Sequence, residues 1–160
     1  MKRLSTTAKY RWLVQFHPKI PKEVIEKYKS IESEYLSFIE TDNVIPLLQE
    51  ADLMVCDTSS VLLMFLLLNK PVVTFNNISP KDYLINISEP ELLESSIEQG
   101  LTKPKELMGH IENFIQQTHP YQDGSSSERV LNAVDEVISQ PQKSIKNPWN
   151  LLRQFKMRKN

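Results

Sequence analysis

The chain has 160 residues, 40% apolar and 24% charged, with 19 lysines and arginines against 20 aspartates and glutamates. This is the range of one ordinary domain with a core, and the longest apolar run, 61–68, is far short of the roughly 20 residues that a bilayer span needs. The charge is uneven: Lys143, Lys146, Arg153, Lys156, Arg158 and Lys159 stand without an acid in residues 141–160, leaving an acidic body that argues against nucleic acid as a partner.

The opening MKRLSTTAKYRW has bases but no apolar segment behind them, so it does not read as a signal peptide, and the expected location is the cytoplasm. WLVQF, 12–16, reads as a short buried strand ended by His17-Pro18, because a proline disfavours helix in the residue before it. PKEVIEKYKSI has helical spacing at Val24, Ile25, Tyr28 and Ile31. YLSFIE, 35–40, is a second strand candidate, and NVIPLLQEA a short helix capped by Thr41, Asp42 or Asn43. LMVCD, 53–57, is a third strand, SSVLLMFLLLN a buried helix and PVVTF, 71–75, a fourth strand. Strands that are apolar on both faces and alternate with helices predict an α/β fold, a Rossmann-like parallel sheet with helices on both faces.

Past residue 76 the pattern loosens. DYLINIS holds a short strand candidate, and ELLESSIEQ, PKELMGHIENFIQQTH and SSERVLNAVDEVISQ read as amphipathic helices, the last preceded by an Asp123-Gly124 turn. The expected organisation is a domain over 1–140 and a tail over 141–160. In the tail, WNLLRQFKMRK brings Trp149, Leu152 and Phe155 near one side of a short helix. Two readings of it stand level: a solvated terminus, or a surface that rests on anionic membrane through 143–159.

In parallel α/β sheets, ligands collect beyond the carboxyl ends of the strands, where helix N-termini offer unpaired N–H groups. Asp57-Thr58-Ser59-Ser60 falls there after the third strand, His17 after the first, and Ser125-Ser126-Ser127 opens the last helix. By itself DTSS is more often a helix cap than a site. His110 and His119 read as surface residues, and three scattered histidines with the single Cys56, a small buried hydrophobe, give no metal spacing. With only three glycines, neither a serine-hydrolase elbow, a dinucleotide fingerprint nor a P-loop is present. Asp57 at a strand end also suggests a receiver-domain phosphoacceptor, but His17-Pro18-Lys19 occupies the place where acids would hold magnesium.

In their order and spacing, VQFHPK, DNVIPLLQEADLMVCDTSSVLLMFLLLNKPVVTF and DGSSSERVLNAV resemble the carboxy-terminal domain of the CDP-glycerol glycerophosphotransferase family, over about residues 10–140. The resemblance implies the nucleotide-binding half of a GT-B fold that takes CDP-glycerol or a related nucleotide donor, without a further cofactor. It implies His17 beside the donor pyrophosphate, Ser59 and Ser60 on phosphate oxygens with Thr58 in the same loop, Asp57 orienting that loop, and Ser126, Ser127 and Arg129 as further donor contacts. It also implies an amino-terminal GT-B half as partner, for which this chain has no counterpart, so a truncated or split enzyme is expected.

Two departures matter. Thr58 stands where the family pattern usually has tyrosine, and Met64 stands where it places an acid, which leaves catalytic activity open. The rival readings are a sugar-nucleotide enzyme of the same fold, such as a UDP-sugar epimerase or capsular glycosyltransferase, and a non-catalytic remnant of the fold.

Overall fold

The computed structural model describes Leu4, residues 6–17 and residues 19–140, in a chain that divides into two compact units, 1–120 and 121–160. In the first unit the elements alternate as the apolar runs predict: β1 (Trp12–Val14), α1 (Lys22–Lys29), β2 (Leu36–Phe38), α2 (Ile45–Glu50), β3 (Met54–Cys56), α3 (Val61–Leu66) and β4 (Val72–Phe75). The DYLINIS segment supplies β5 (Ile85–Ile87). A 3-10 turn, Pro90–Leu92, leads into α4 (Leu93–Leu101), and α5 (Lys105–Thr118) follows. The second unit contains α6 (Ser126–Ser139). The tail reading falls outside the described residues.

Every pairing between these strands is parallel, in two hydrogen-bonded ladders: β1 with β2, and β3, β4 and β5 with β4 in the middle. Register sets Cys56 opposite Thr74 and Phe75 opposite Ile87, so the carboxyl ends of β3, β4 and β5 finish side by side.

The apolar character of β3 follows from what covers it. Side chains alternate across a strand. Met54 and Cys56 pack against Leu48 of α2, Leu62, Phe65 and Leu66 of α3, and Leu107, Ile111 and Ile115 of α5. Leu53 and Val55 turn the other way, onto Trp12, Leu36 and Ile97 of α4. Helices therefore lie on both faces, and among the described residues the β1–β2 ladder joins β3 through this second core rather than through strand pairing. On that face the packing is close: a Cβ added at Gly100 of α4 would come within 2.5 Å of Leu53 Cδ1.

Two polar interruptions have structural causes. Before α2, Thr41 Oγ1 accepts the Asn43 N–H at 3.1 Å and Asn43 Oδ1 accepts the Ile45 N–H at 3.2 Å, so Thr41 and Asn43 build the helix entry in succession and Asp42 takes no part. After α3, Asn69 adopts φ +55°, a left-handed conformation that asparagine tolerates.

The adjacent Lys70 turns back, and its Nζ donates to the carbonyls of Leu48, Gln49 and Ala51 at 3.1, 2.6 and 2.6 Å. These belong to the end of α2, where helix carbonyls lack intrahelical partners and a cation is favoured. Buried Pro71 then starts the approach to β4, its carbonyl accepting the Met54 N–H at 3.2 Å. Lys70→Met keeps the side-chain stem and removes the donor, so it is expected to cost about 1.5–3 kcal/mol. A lower urea midpoint at unchanged slope is the measurement that checks this.

Candidate functional site

Asp57 follows β3 directly, and the chain turns through Thr58 and Ser59 into α3. Asp57, Thr58 and Ser60 are exposed and Ser59 is half-buried. Ser59 does the local work: its Oγ accepts the Val61 N–H at 3.2 Å and its carbonyl accepts the Leu62 N–H at 3.2 Å. Ser59 thus caps the helix start while keeping its own hydroxyl proton to donate. Among the described residues, Asp57, Thr58 and Ser60 make no side-chain hydrogen bond or ion pair within the protein. The side-chain bond within this loop is that of Ser59.

The helix after this loop is shorter and less buried than the unbroken apolar run predicts. It has six residues; Leu62, Phe65 and Leu66 are buried, whereas Leu63 and Met64 are 43% and 41% exposed. So short a helix has little macrodipole. Met64 lies one turn after Ser60, at the spacing that puts two side chains on the same helix side.

Register places a second loop beside DTSS, at the carboxyl end of β4. Asn76 has φ +50° and its N–H donates to the Ile87 carbonyl at 2.8 Å. Asn86 Oδ1 accepts both the hydroxyl of fully buried Thr74, at 2.9 Å, and the Asn77 N–H, at 3.1 Å; Asn77 Oδ1 accepts the Ser79 N–H at 2.9 Å. This fixed loop ends the strand with Ile78 93% exposed. Sequence reasoning passed over it. The available signal was an asparagine pair, tolerant of left-handed backbone, directly after an apolar strand.

His17 lies exposed, three residues past β1. Its Nδ1 accepts the Lys19 N–H at 3.1 Å and its carbonyl accepts the Ile20 N–H at 3.0 Å, so the turn is closed on itself. With Nδ1 accepting, the neutral ring carries its proton on Nε2. Among the described residues no hydrogen bond joins His17 to Asp57, Thr58, Ser59 or Ser60.

Ser126, Ser127 and Arg129 belong to the second unit. Ser126 and Ser127 are exposed in the first turn of α6. Arg129 pairs through both terminal nitrogens with Asp123, the Nη1–Oδ1 distance being 2.9 Å, and its guanidinium lies 3.9 Å over the Tyr121 ring. The guanidinium first, and then the Ser125 N–H, hold the Asp123 carboxyl well below the usual carboxylate range. Arg129 is therefore engaged in fixing the entry to α6, with Gly124 at φ +75° making the turn.

Cys56, half-buried rather than fully enclosed, has its thiol pushed up to about 11 by burial and then by the charge of Asp57. It is no nucleophile at neutral pH. His110 is also less exposed than expected: it is half-buried, with Nδ1 3.3 Å from Asp82 Oδ2. Both line a cavity of about 280 Å³ with Ile85, Gln99 and Leu107, at the amino end of β5 and so away from the carboxyl-end loops.

Architecture puts the chain among mixed α/β proteins with parallel strands, of the Rossmann-like kind. The model of the family described as CDP-Glycerol:Poly(glycerophosphate) glycerophosphotransferase matches residues 3–82, half of the chain, and the chain belongs to that family. The matched part runs through β4 and includes His17 and Asp57–Ser60; Ser126, Ser127 and Arg129 fall outside it. No curated protein and no solved structure matches. Among the described residues no helix is long and apolar enough to cross a membrane.

Proposed function

We propose that the first unit binds CDP-glycerol and serves the transfer of glycerol phosphate from it to a polymer or lipid-linked acceptor. The observation that carries this reading is that the family match contains both His17 and a loop at the carboxyl end of a parallel strand in which, among the described residues, the Thr58 and Ser60 hydroxyls have no internal partner.

In the reaction, an acceptor hydroxyl attacks the glycerol-bearing phosphorus and gives up its proton to solvent, a phosphodiester forms, the bond from that phosphorus to the bridging oxygen breaks, and CMP leaves with that oxygen and the electron pair. Thr58, Ser59 and Ser60 donate hydroxyl hydrogen bonds to phosphate oxygens, strengthening as charge develops. His17 donates an Nε2–H hydrogen bond to the departing phosphate and so stabilises the charge that develops on it. Asp57, an acceptor only, suits the hydroxyls of glycerol or ribose better than the phosphates.

Met64 favours a second reading, a domain that binds the donor without turnover. It lies on the exposed side of α3 one turn from Ser60, and a thioether accepts hydrogen bonds weakly.

Calorimetric titration with CDP-glycerol and with CMP tests the proposal. Both are expected to give heat, with affinity falling about ten- to a hundredfold in Ser60→Ala through loss of a hydrogen bond to a charged group. Absence of heat with either ligand at millimolar concentration would defeat the donor-binding reading. Turnover acquired by Met64→Glu alone would decide for a domain that has lost only its acid.

A further inference from the structure

A cluster of three aromatic rings begins at the residue before His17, and the transfer chemistry does not use it. The Phe16 ring stacks on Phe38, at the end of β2, with centroids 5.6 Å apart and planes 11° off parallel. From α1, the Tyr28 ring leans on Phe16 at 5.5 Å and 58°. Phe38 packs against the second core, Phe16 is half-buried and Tyr28 is 42% exposed, so the cluster ends in an aromatic ring open to solvent.

Packing does not account for that ring. α1 has no buried residue, and Val24, one turn before Tyr28, is 38% exposed. Polar bonds tie down the end of the helix and the turn after it instead. Lys29 Nζ pairs with Glu40, two residues past β2, and Glu32 Oε1 accepts the Phe38 N–H at 2.9 Å. Tyr28 is thereby held in place without being covered.

We propose that Phe16 and Tyr28 seat the base of the nucleotide donor, the pyrimidine ring stacking on Tyr28; this rests on the donor-binding reading above. Every nucleobase has a π face that stacks on an aromatic side chain, whereas the glycerol end of the donor has no flat apolar face to offer. Position agrees with chemistry. His17 is set on the phosphate that leaves with CMP, and Phe16 is its chain neighbour, so the base and phosphate of one nucleotide fall on adjacent residues. All three rings lie within the stretch that matches the family.

The test uses the full chain with CMP and with ribose 5-phosphate, which has the sugar and phosphate without the base. In calorimetric titration Tyr28→Ala is expected to lower CMP affinity about five- to a hundredfold, while Tyr28→Phe, which keeps the ring, retains most of it. Ribose 5-phosphate is expected to bind Tyr28→Ala as it binds the unaltered chain, whereas Ser60→Ala weakens both ligands. Saturation-transfer NMR gives a second readout: cytosine H5 and H6 should receive more saturation than the ribose protons and lose that excess in Tyr28→Ala.

CMP bound equally by the chain and by Tyr28→Ala overturns the proposal and leaves donor binding intact. So does an equal loss for ribose 5-phosphate, which would give Tyr28 a part in the shape of the site and none in holding the base. Cytosine protons no more saturated than those of ribose overturn it as well. No heat from the unaltered chain with CMP or CDP-glycerol defeats the donor-binding reading and this inference with it.

Discussion

Replacing His17 by alanine is expected to lower glycerol-phosphate transfer by about 10²–10³-fold, the usual cost of removing one hydrogen-bond donor aimed at charge that develops in the transition state. The turn after β1 makes the prediction specific to one nitrogen. Because Nδ1 accepts the Lys19 N–H, the neutral imidazole presents Nε2–H outward, already in the tautomer that donates to a phosphate oxygen. His17→Gln places an amide near the former Nε2 and restores a hydrogen bond. It is therefore expected to recover part of both the donor affinity and the rate, whereas His17→Ala loses both. CMP release from CDP-glycerol in the presence of a glycerol-phosphate acceptor gives the rate, and titration with CMP gives the affinity. An unchanged rate in His17→Ala would remove the residue from the chemistry altogether.

The largest effect on stability is expected from Phe65→Ala, at about 3–5 kcal/mol. Phe65 is fully buried in the cluster that joins α2, α3, β4 and α5, so truncation there empties the centre of one face of the sheet. Its ring also lies 5.6 Å from Lys70 Nζ, the group that holds the end of α2, so the loss reaches a second element. Small domains are stable by only about 5–15 kcal/mol, and such a change consumes much of that margin. Two residues earlier on the same helix, Leu63 is 43% exposed, and its replacement by alanine is expected to stay below about 1 kcal/mol. Thermal melting of the two variants side by side checks the contrast.

That contrast also shows where the sequence ran out. The strands could be read because β1, β3 and β4 are apolar on both faces and end at polar or proline residues, and parallel pairing follows from that. The eight apolar residues from Val61 to Leu68 carry no periodicity, so nothing in their order tells that Leu62, Phe65 and Leu66 face inward while Leu63 and Met64 face water. Nor does it tell that Asn69 stops the helix with a left-handed residue.

DTSS and His17 stand out in the sequence as candidates, because polar groups that interrupt apolar runs at strand ends have few places to go. The bond to Lys19 that selects the His17 tautomer could not, since it depends on how the turn closes. The Asn76–Ser79 loop was hidden for another reason: its shape comes from Asn86, a residue of the neighbouring strand, and depends on the register of β4 against β5. Arg129 shows the converse. The family resemblance implies a donor contact there, and the partners the sequence did not announce are Asp123, six residues away, and the face of Tyr121.

The half-buried thiol of Cys56, pushed up to about 11, bears on how this protein can be probed. At neutral pH almost none of it is thiolate, so it reacts slowly with maleimides and other thiol reagents. A cysteine placed at exposed Ile78, beside the DTSS loop, therefore takes a fluorophore or spin label selectively without the native sulfur being removed, and gives a reporter at the strand ends where a nucleotide is expected to arrive.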